Sequence, residues 1–197
     1  MSYTLQDLAA DTQRLVAEDA AARTRTRAIA PCLERWMAEP DLTPEQRAPC
    51  DGRACGHLLH TAADGSFFII SVVFPAGASS GVHYHGAWGV IGVLAGVDEE
   101  TKYTRPDGPA EPSAGEGCAL EQTAKERFPP GSITYLLPPD EGYHRVRAVG
   151  DENGVSLHIL GGTPETHPHL LCHTDSRTLV DFPMAALLDR APPIVKP

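Results

Sequence analysis

A chain of 197 residues has the length of one ordinary domain, with or without a helical appendage, and can bury a substantial core. Its formal charge of −10, from 26 acidic against 16 basic residues, leaves no electrostatic footprint for nucleic acid or an anionic membrane, and neither is expected as a partner. The 18 glycines and 18 prolines are spread along the chain, which favours many turns between short strands over a helical bundle.

Residues 1–50 read as a helical subdomain. Leu5, Leu8, Leu15 and Val16 recur at helical spacing, with Thr4 as N-cap and Asp7 three residues on. The N-terminal segment MSYTLQDLAADTQRL carries Asp where a signal peptide needs an apolar core, so no signal peptide is expected. A second helix is predicted over roughly Thr24 to Glu39, burying Ile29, Leu33, Trp36 and Met37 despite Pro31, and Thr43-Pro44-Glu45 starts a short third one. These helices are expected to pack on one side of a β domain.

From Ala54 the period changes. Phe67 to Phe74 and Val82 to Val97 are rich in β-branched and aromatic residues and are separated by Pro75-Ala76-Gly77. Glu99 to Tyr103 extends the strand after Gly96, and 105–117 is a polar loop. Further strands are expected over Cys118 to Phe128, Ile133 to Leu137, from His144, over Val155 to Leu160, near Leu170 and over Thr178 to Phe182, before a Pro-rich end. The expected fold is therefore mainly β, a sandwich or barrel over 51–185 with a tail at 186–197. No apolar run approaches the roughly 20 residues of a membrane-spanning helix.

The five cysteines are odd in number and lack CxxC spacing, which points to reduced thiols and a cytoplasmic setting; Cys55 and Cys118 read as small core residues. The sequence carries nothing that sets an oligomeric state.

The chemistry centres on His83-Tyr84-His85. On a strand, residues two apart share a face, so both imidazoles project together. His144 reaches a later strand through the turn Pro138-Pro139-Asp140-Glu141-Gly142 and could supply a third metal ligand. Alone, an HxH among nine histidines is better explained by chance. The spacing around it changes that: Gly77, five residues, HxH, three residues, Gly89, six residues, Gly96, and later Pro138, three residues, Gly142, one residue, His144.

This paired pattern resembles the cupin superfamily, whose fold is a double-stranded β-helix, or jelly-roll barrel. The usual cupin has Glu four residues after the second histidine, where this chain has Gly89. Without it, three neutral imidazoles would face one cation and leave its other side open, which favours an anionic donor such as a thiolate beside dioxygen. GVIGVLAGVDEETKY, HRV, SLH at 156–158 and CHTDSR at 172–177 resemble the cysteine dioxygenase branch, the thiol dioxygenases.

That resemblance implies Fe(II) held by His83, His85 and His144, with Ser156 and His158 as catalytic groups beside bound oxygen and substrate. It implies delivery of both atoms of O2 to the sulfur of a small thiol, giving a sulfinate. The family's Ser-x-His-x-Tyr series ends here at Leu160, the crosslinking cysteine aligns with Val90, and the arginine that grips the cysteine carboxylate aligns near His57. L-cysteine is therefore not the expected substrate, and a mercapto acid or another thiol is. Arg53, His60, Arg145 and Arg177 are alternative anchors, with Trp88 and Phe67-Phe68 as pocket walls or core, and Tyr135 and Tyr143 as weak replacements for the phenol.

His167, His169, Cys172 and His173 invite a second metal site, but a solvated loop followed by a strand explains them better. The alternatives to a thiol dioxygenase are a three-His oxygenase cleaving a C–C bond in a diketone-like substrate, and a non-catalytic metal- or ligand-binding cupin.

Overall fold

A computed structural model describes residues 2–18, 20–108 and 110–188. The tail expected at 186–197 lies outside the described residues from 189 onward. Helix α1 (Leu5–Ala17) opens on a capping box, in which the Thr4 hydroxyl accepts from the Asp7 N–H and the Asp7 carboxylate accepts from the Thr4 N–H. Helix α2 (Ala22–Met37) runs through Pro31 and buries Ile29, Leu33 and Trp36. The predicted third helix is a single 3-10 turn, Glu45–Arg47.

Eleven strands follow: β1 (Cys55–Thr61), β2 (Phe67–Phe74), β3 (His83–His85), β4 (Gly89–Ala95), β5 (Val97–Thr104), β6 (Glu121–Phe128), β7 (Ile133–Leu136), β8 (Tyr143–Val149), β9 (Gly154–Gly161), β10 (His169–His173) and β11 (Thr178–Asp181). They form two antiparallel sheets, ordered β1-β2-β9-β4-β7 and β11-β10-β3-β8-β5-β6. The fold is mainly β, two antiparallel sheets with two α-helices. The run over 82–97 holds two strands in different sheets, because the chain leaves β3 at Gly86 and enters the other sheet at Gly89.

The central strands β2 and β9 are buried on both faces, which is why β2 reads as a nearly continuous apolar run, while β9 carries the buried polar Ser156 and His158 on one face. One face packs under the helices: Leu8, Ile29, Leu33 and Trp36 join Phe67, Ile69, Val90, Leu157 and Ile159 in a single cluster. The other face fills the barrel, where Phe68, Ile70, Leu136, Val146 and Leu160 meet. Helices and barrel thus share a core. At about 25 cal/mol per Å2 of apolar surface removed from water, that shared burial fixes the helices on the sheet.

One glycine sets the barrel's geometry at the site. A Cβ on Gly142 would fall 2.9 Å from the His85 carbonyl and closer still to the Tyr84 ring. Only glycine lets the chain entering β8 pass this close to β3, which sets His144 directly opposite His83.

The cysteine expectation is corrected. Cys50 is bonded to Cys55 and Cys118 to Cys172, leaving Cys32 as the free thiol among the described residues. Neither pairing has a signature in sequence spacing, since each depends on strand placement. No described helix is long and apolar enough to cross a membrane.

Candidate metal centre

Strand β3 lies between β10 and β8, and its two histidines face the histidines of both neighbours. In the ladders His83 is opposite His144 and His85 is opposite His169. All four side chains are buried. The ring centroids of His83 lie 4.9 Å from His85, 4.3 Å from His144 and 5.0 Å from His169, and His85 is 4.7 Å from His169. One nitrogen from each of His83, His85 and His169 falls within 4.8 Å of the others, so the site can hold a metal ion on three histidines.

The hydrogen bonds fix which nitrogen each ring offers. The His83 Nδ1–H donates to the Gly81 carbonyl at 3.2 Å, and the His169 Nδ1–H donates to the Phe182 carbonyl at 2.6 Å. A carbonyl can only accept, so both rings keep a bare Nε2. His167 donates its Nδ1–H to the Gly161 carbonyl at 2.8 Å, which makes its Nε2 an acceptor for the His85 Nδ1–H, also at 2.8 Å. The His144 Nδ1–H donates to Glu100 Oε1 at 2.7 Å, and its Nε2 is buried without a partner.

With one proton per ring, every Nε2 in the quartet carries a free lone pair. Those of His83 and His85 are 3.1 Å apart, a repulsive contact that a cation between them would relieve. Burial, followed by the neighbouring imidazoles, holds His83 and His85 well below the usual histidine pKa, and burial takes His169 down to about 3. The rings are neutral, the state in which imidazole ligates a metal. Leaving such acceptors buried and unpaired costs about 1–3 kcal/mol each, so the donor set fits a bound divalent ion.

Position 89 leaves no room for a carboxylate, because a side chain there would run into Leu136 and Leu160. The nearest carboxylate is Glu100 of β5, which sequence reasoning missed. Its Oε1 holds His144, and its Oε2 accepts from the Thr134 hydroxyl at 2.9 Å. Burial raises its pKa, but the hydrogen bonds from His144 and Thr134 and the nearby Lys102 ammonium more than offset this, and the net shift is downward. Glu100 therefore orients a donor ring and leaves the cavity side free of carboxylate.

The expectation of His167 and His169 in a solvated loop is corrected. His169 stands in the cluster, and His167, 3% exposed, braces His85. Cys172 belongs to a disulfide and not to a second site, while His173 hydrogen-bonds Ser176 at the end of β10.

The quartet forms the floor of a cavity of about 380 Å3. Its walls are mostly apolar, with Val72, Phe74, Val146, Leu171, Phe182 and Met184 among them. His158 lines it from β9, and its Nε2 lies 3.0 Å from Ser156 Oγ. Burial, then the nearby His144, lowers the His158 pKa to about 3, and its Nδ1 is buried without a partner.

Arg53 is the one charged side chain among the described lining residues. It sits in the loop closed by Cys50 and Cys55, 40% exposed, with a distant contact of 3.9 Å to Asp51. The other proposed substrate groups are elsewhere. His57 approaches the Ala48 carbonyl on the outer side of β1, Trp88 packs in the helix-facing cluster under Arg25, and Leu160 lies in the barrel core. Phe67 joins Trp88 in the helix-facing cluster, with His60 stacked on it, and neither His60, Arg145 nor Arg177 lines the cavity.

No family model matches the chain. Among solved structures it is similar to a double-stranded β-helix domain protein from Klebsiella pneumoniae, with 14% identity, TM-score 0.46, and coverage of 68% of this chain and 93% of that one. It is also similar to a cupin 2 conserved barrel domain protein from Salinispora arenicola, with 18% identity, TM-score 0.42, and coverage of 62% and 87%. A third is a mutant oxalate decarboxylase from Bacillus subtilis, with 16% identity, TM-score 0.41, and coverage of 55% of this chain and 24% of that one.

Proposed function

We propose that this chain is an Fe(II)-dependent dioxygenase that adds both atoms of O2 to the sulfur of a small thiol. The observation that carries the reading is the convergence of four buried imidazoles on the floor of an apolar cavity whose single charged lining group, among the described residues, is cationic. The reaction balances without a further reductant: RS− + O2 → RSO2−, in which sulfur gives up four electrons and dioxygen takes four.

His83, His85 and His144 would hold the iron, which when bound supplies the one-electron chemistry that lets dioxygen react with a closed-shell thiolate. Neutral imidazoles do not offset a cation's charge, so the floor attracts an anion and favours loss of the thiol proton there. Arg53 offers a carboxylate a second attachment at the mouth, which points to a mercapto acid. His158 would present its ring from the opposite sheet toward the reacting end of the substrate, with Ser156 hydrogen-bonded to it and positioning it, and the apolar walls would exclude water.

The test is oxygen consumption by the Fe(II)-loaded protein with a panel of thiols and a panel of diketones, with products identified by mass spectrometry. Thiol-dependent uptake with a gain of two oxygen atoms in the product supports the reading. Uptake with diketones alone moves the assignment to C–C bond cleavage, and uptake with neither leaves a metal- or ligand-binding role.

A further inference from the structure

We propose that His169 is a fourth metal donor and that it limits the site to substrates offering the metal a single atom. The substrate half of this inference rests on the thiol reading above, whereas the donor half stands on geometry alone.

His169 is built like the other donors. It occupies the ladder position opposite His85, on the side of β3 away from His144. The strand order β10-β3-β8 therefore brings one ring from each flanking strand to the two on the central strand. Its Nδ1–H is engaged by the Phe182 carbonyl, as those of His83, His85 and His144 are by Gly81, His167 and Glu100. Its Nε2 is thereby left as the atom within 4.8 Å of the donors of His83 and His85. A buried histidine with a purely structural role has no need to turn its bare nitrogen toward two other bare nitrogens.

The consequence is a matter of counting. A cation that takes about six donors keeps two positions once four imidazoles are bound. Two reactants that each bring one donor can share those positions. A reactant that brings two fills both, so an aminothiol binding through sulfur and nitrogen, or a chelating diketone, excludes the second reactant. Arg53 at the mouth then supplies the attachment that chelation would otherwise give, which selects a thiol bearing a carboxylate and no amine near the sulfur.

The test loads the full chain with Co(II) anaerobically. X-ray absorption counts the coordinated imidazoles, and competition with a chelator measures affinity. Four imidazoles in the unaltered protein are expected, with three in His169→Ala and His169→Gln and affinity lower by about tenfold or more. A count of three in the unaltered protein overturns the inference whether or not the variants fold, and so does an unchanged count in the variants. Either result leaves the thiol reading standing, because that reading needs a cation and not a particular number of rings.

A second arm compares oxygen uptake with L-cysteine and with its amine-free mercapto acid analogue. The Fe(II) protein is expected to prefer the analogue by at least about tenfold, and His169→Ala to narrow the gap by opening a position for the amine. Equal preference in the two proteins overturns the selectivity half. Absence of uptake with every thiol overturns the thiol reading while the imidazole count still decides the donor half.

Discussion

His144 and Glu100 face each other across β8 and β5 in a buried pair, with the His144 Nδ1–H held 2.7 Å from Glu100 Oε1 and its Nε2 turned away without a partner. A carboxylate in this position fixes the tautomer and raises the basicity of the nitrogen opposite. Glu100→Ala is expected to weaken Co(II) or Fe(II) binding by about 10- to 100-fold in a chelator competition, and Glu100→Gln, which keeps an acceptor oxygen, by less. Unchanged affinity in the alanine variant would separate the carboxylate from the metal site.

The histidines are not equivalent. His144→Ala should lower metal occupancy and abolish turnover, whereas His173→Ala should leave both nearly unchanged, because His173 contacts Ser176 at the far end of β10. Metal analysis of the two purified variants checks this, and equal losses would show that the donors are misassigned.

Arg53 is expected to act on substrate binding and not on the metal. Its charge-assisted hydrogen bond to a carboxylate is worth about 1.5–3 kcal/mol, so Arg53→Met should raise KM for a mercapto acid by roughly 10- to 100-fold. The KM for the matching uncharged mercapto alcohol should not move. A parallel rise for both substrates would count against Arg53 as the anchor.

Asp98 links stability to pH. Burial, then the charge of Glu100, raises its pKa from 3.8 to about 7. The folded protein therefore keeps a proton that the unfolded chain releases at lower pH. The stabilisation from this group is full below the unfolded pKa and is lost as pH rises toward 7, by up to about 1.4 kcal/mol per pH unit. Urea midpoints of the metal-free protein should fall over this window, and Asp98→Asn should flatten the decline. The same slope in both proteins would show that Asp98 is ionised throughout.

The Cys118–Cys172 bond joins residues 54 apart and ties the entry to β6 onto β10. Replacing both cysteines with serine is expected to cost roughly 2–4 kcal/mol in urea unfolding. Thiol titration of the unreduced, unfolded chain should find one free group, Cys32, among the five cysteines, and five free groups would rule out both bonds.

Much of this architecture was legible because it is written in local patterns. The alternation of His83 and His85, the glycine turns, the nearly continuous apolar run of β2 and the alternation of Ser156 and His158 in β9 each follow from the backbone's own geometry. His169, Glu100 and His167 were not legible. Their roles come from which strand lies beside which, and no spacing in the chain records that β10 pairs with β3. Trp88 misled for the opposite reason: it is three residues from His85, but the chain crosses between sheets there and delivers the ring to the helices.

The four donor rings and Glu100 all belong to the six-stranded sheet, whereas Ser156 and His158 belong to the five-stranded sheet and Arg53 to the loop that leads into it. On the proposed reading the ion would be held by one wall alone, and His169 would be the single residue through which that wall also bears on the choice of reactant. Changes confined to Ser156, His158 or Arg53 would then alter the reactant and leave the ion in place.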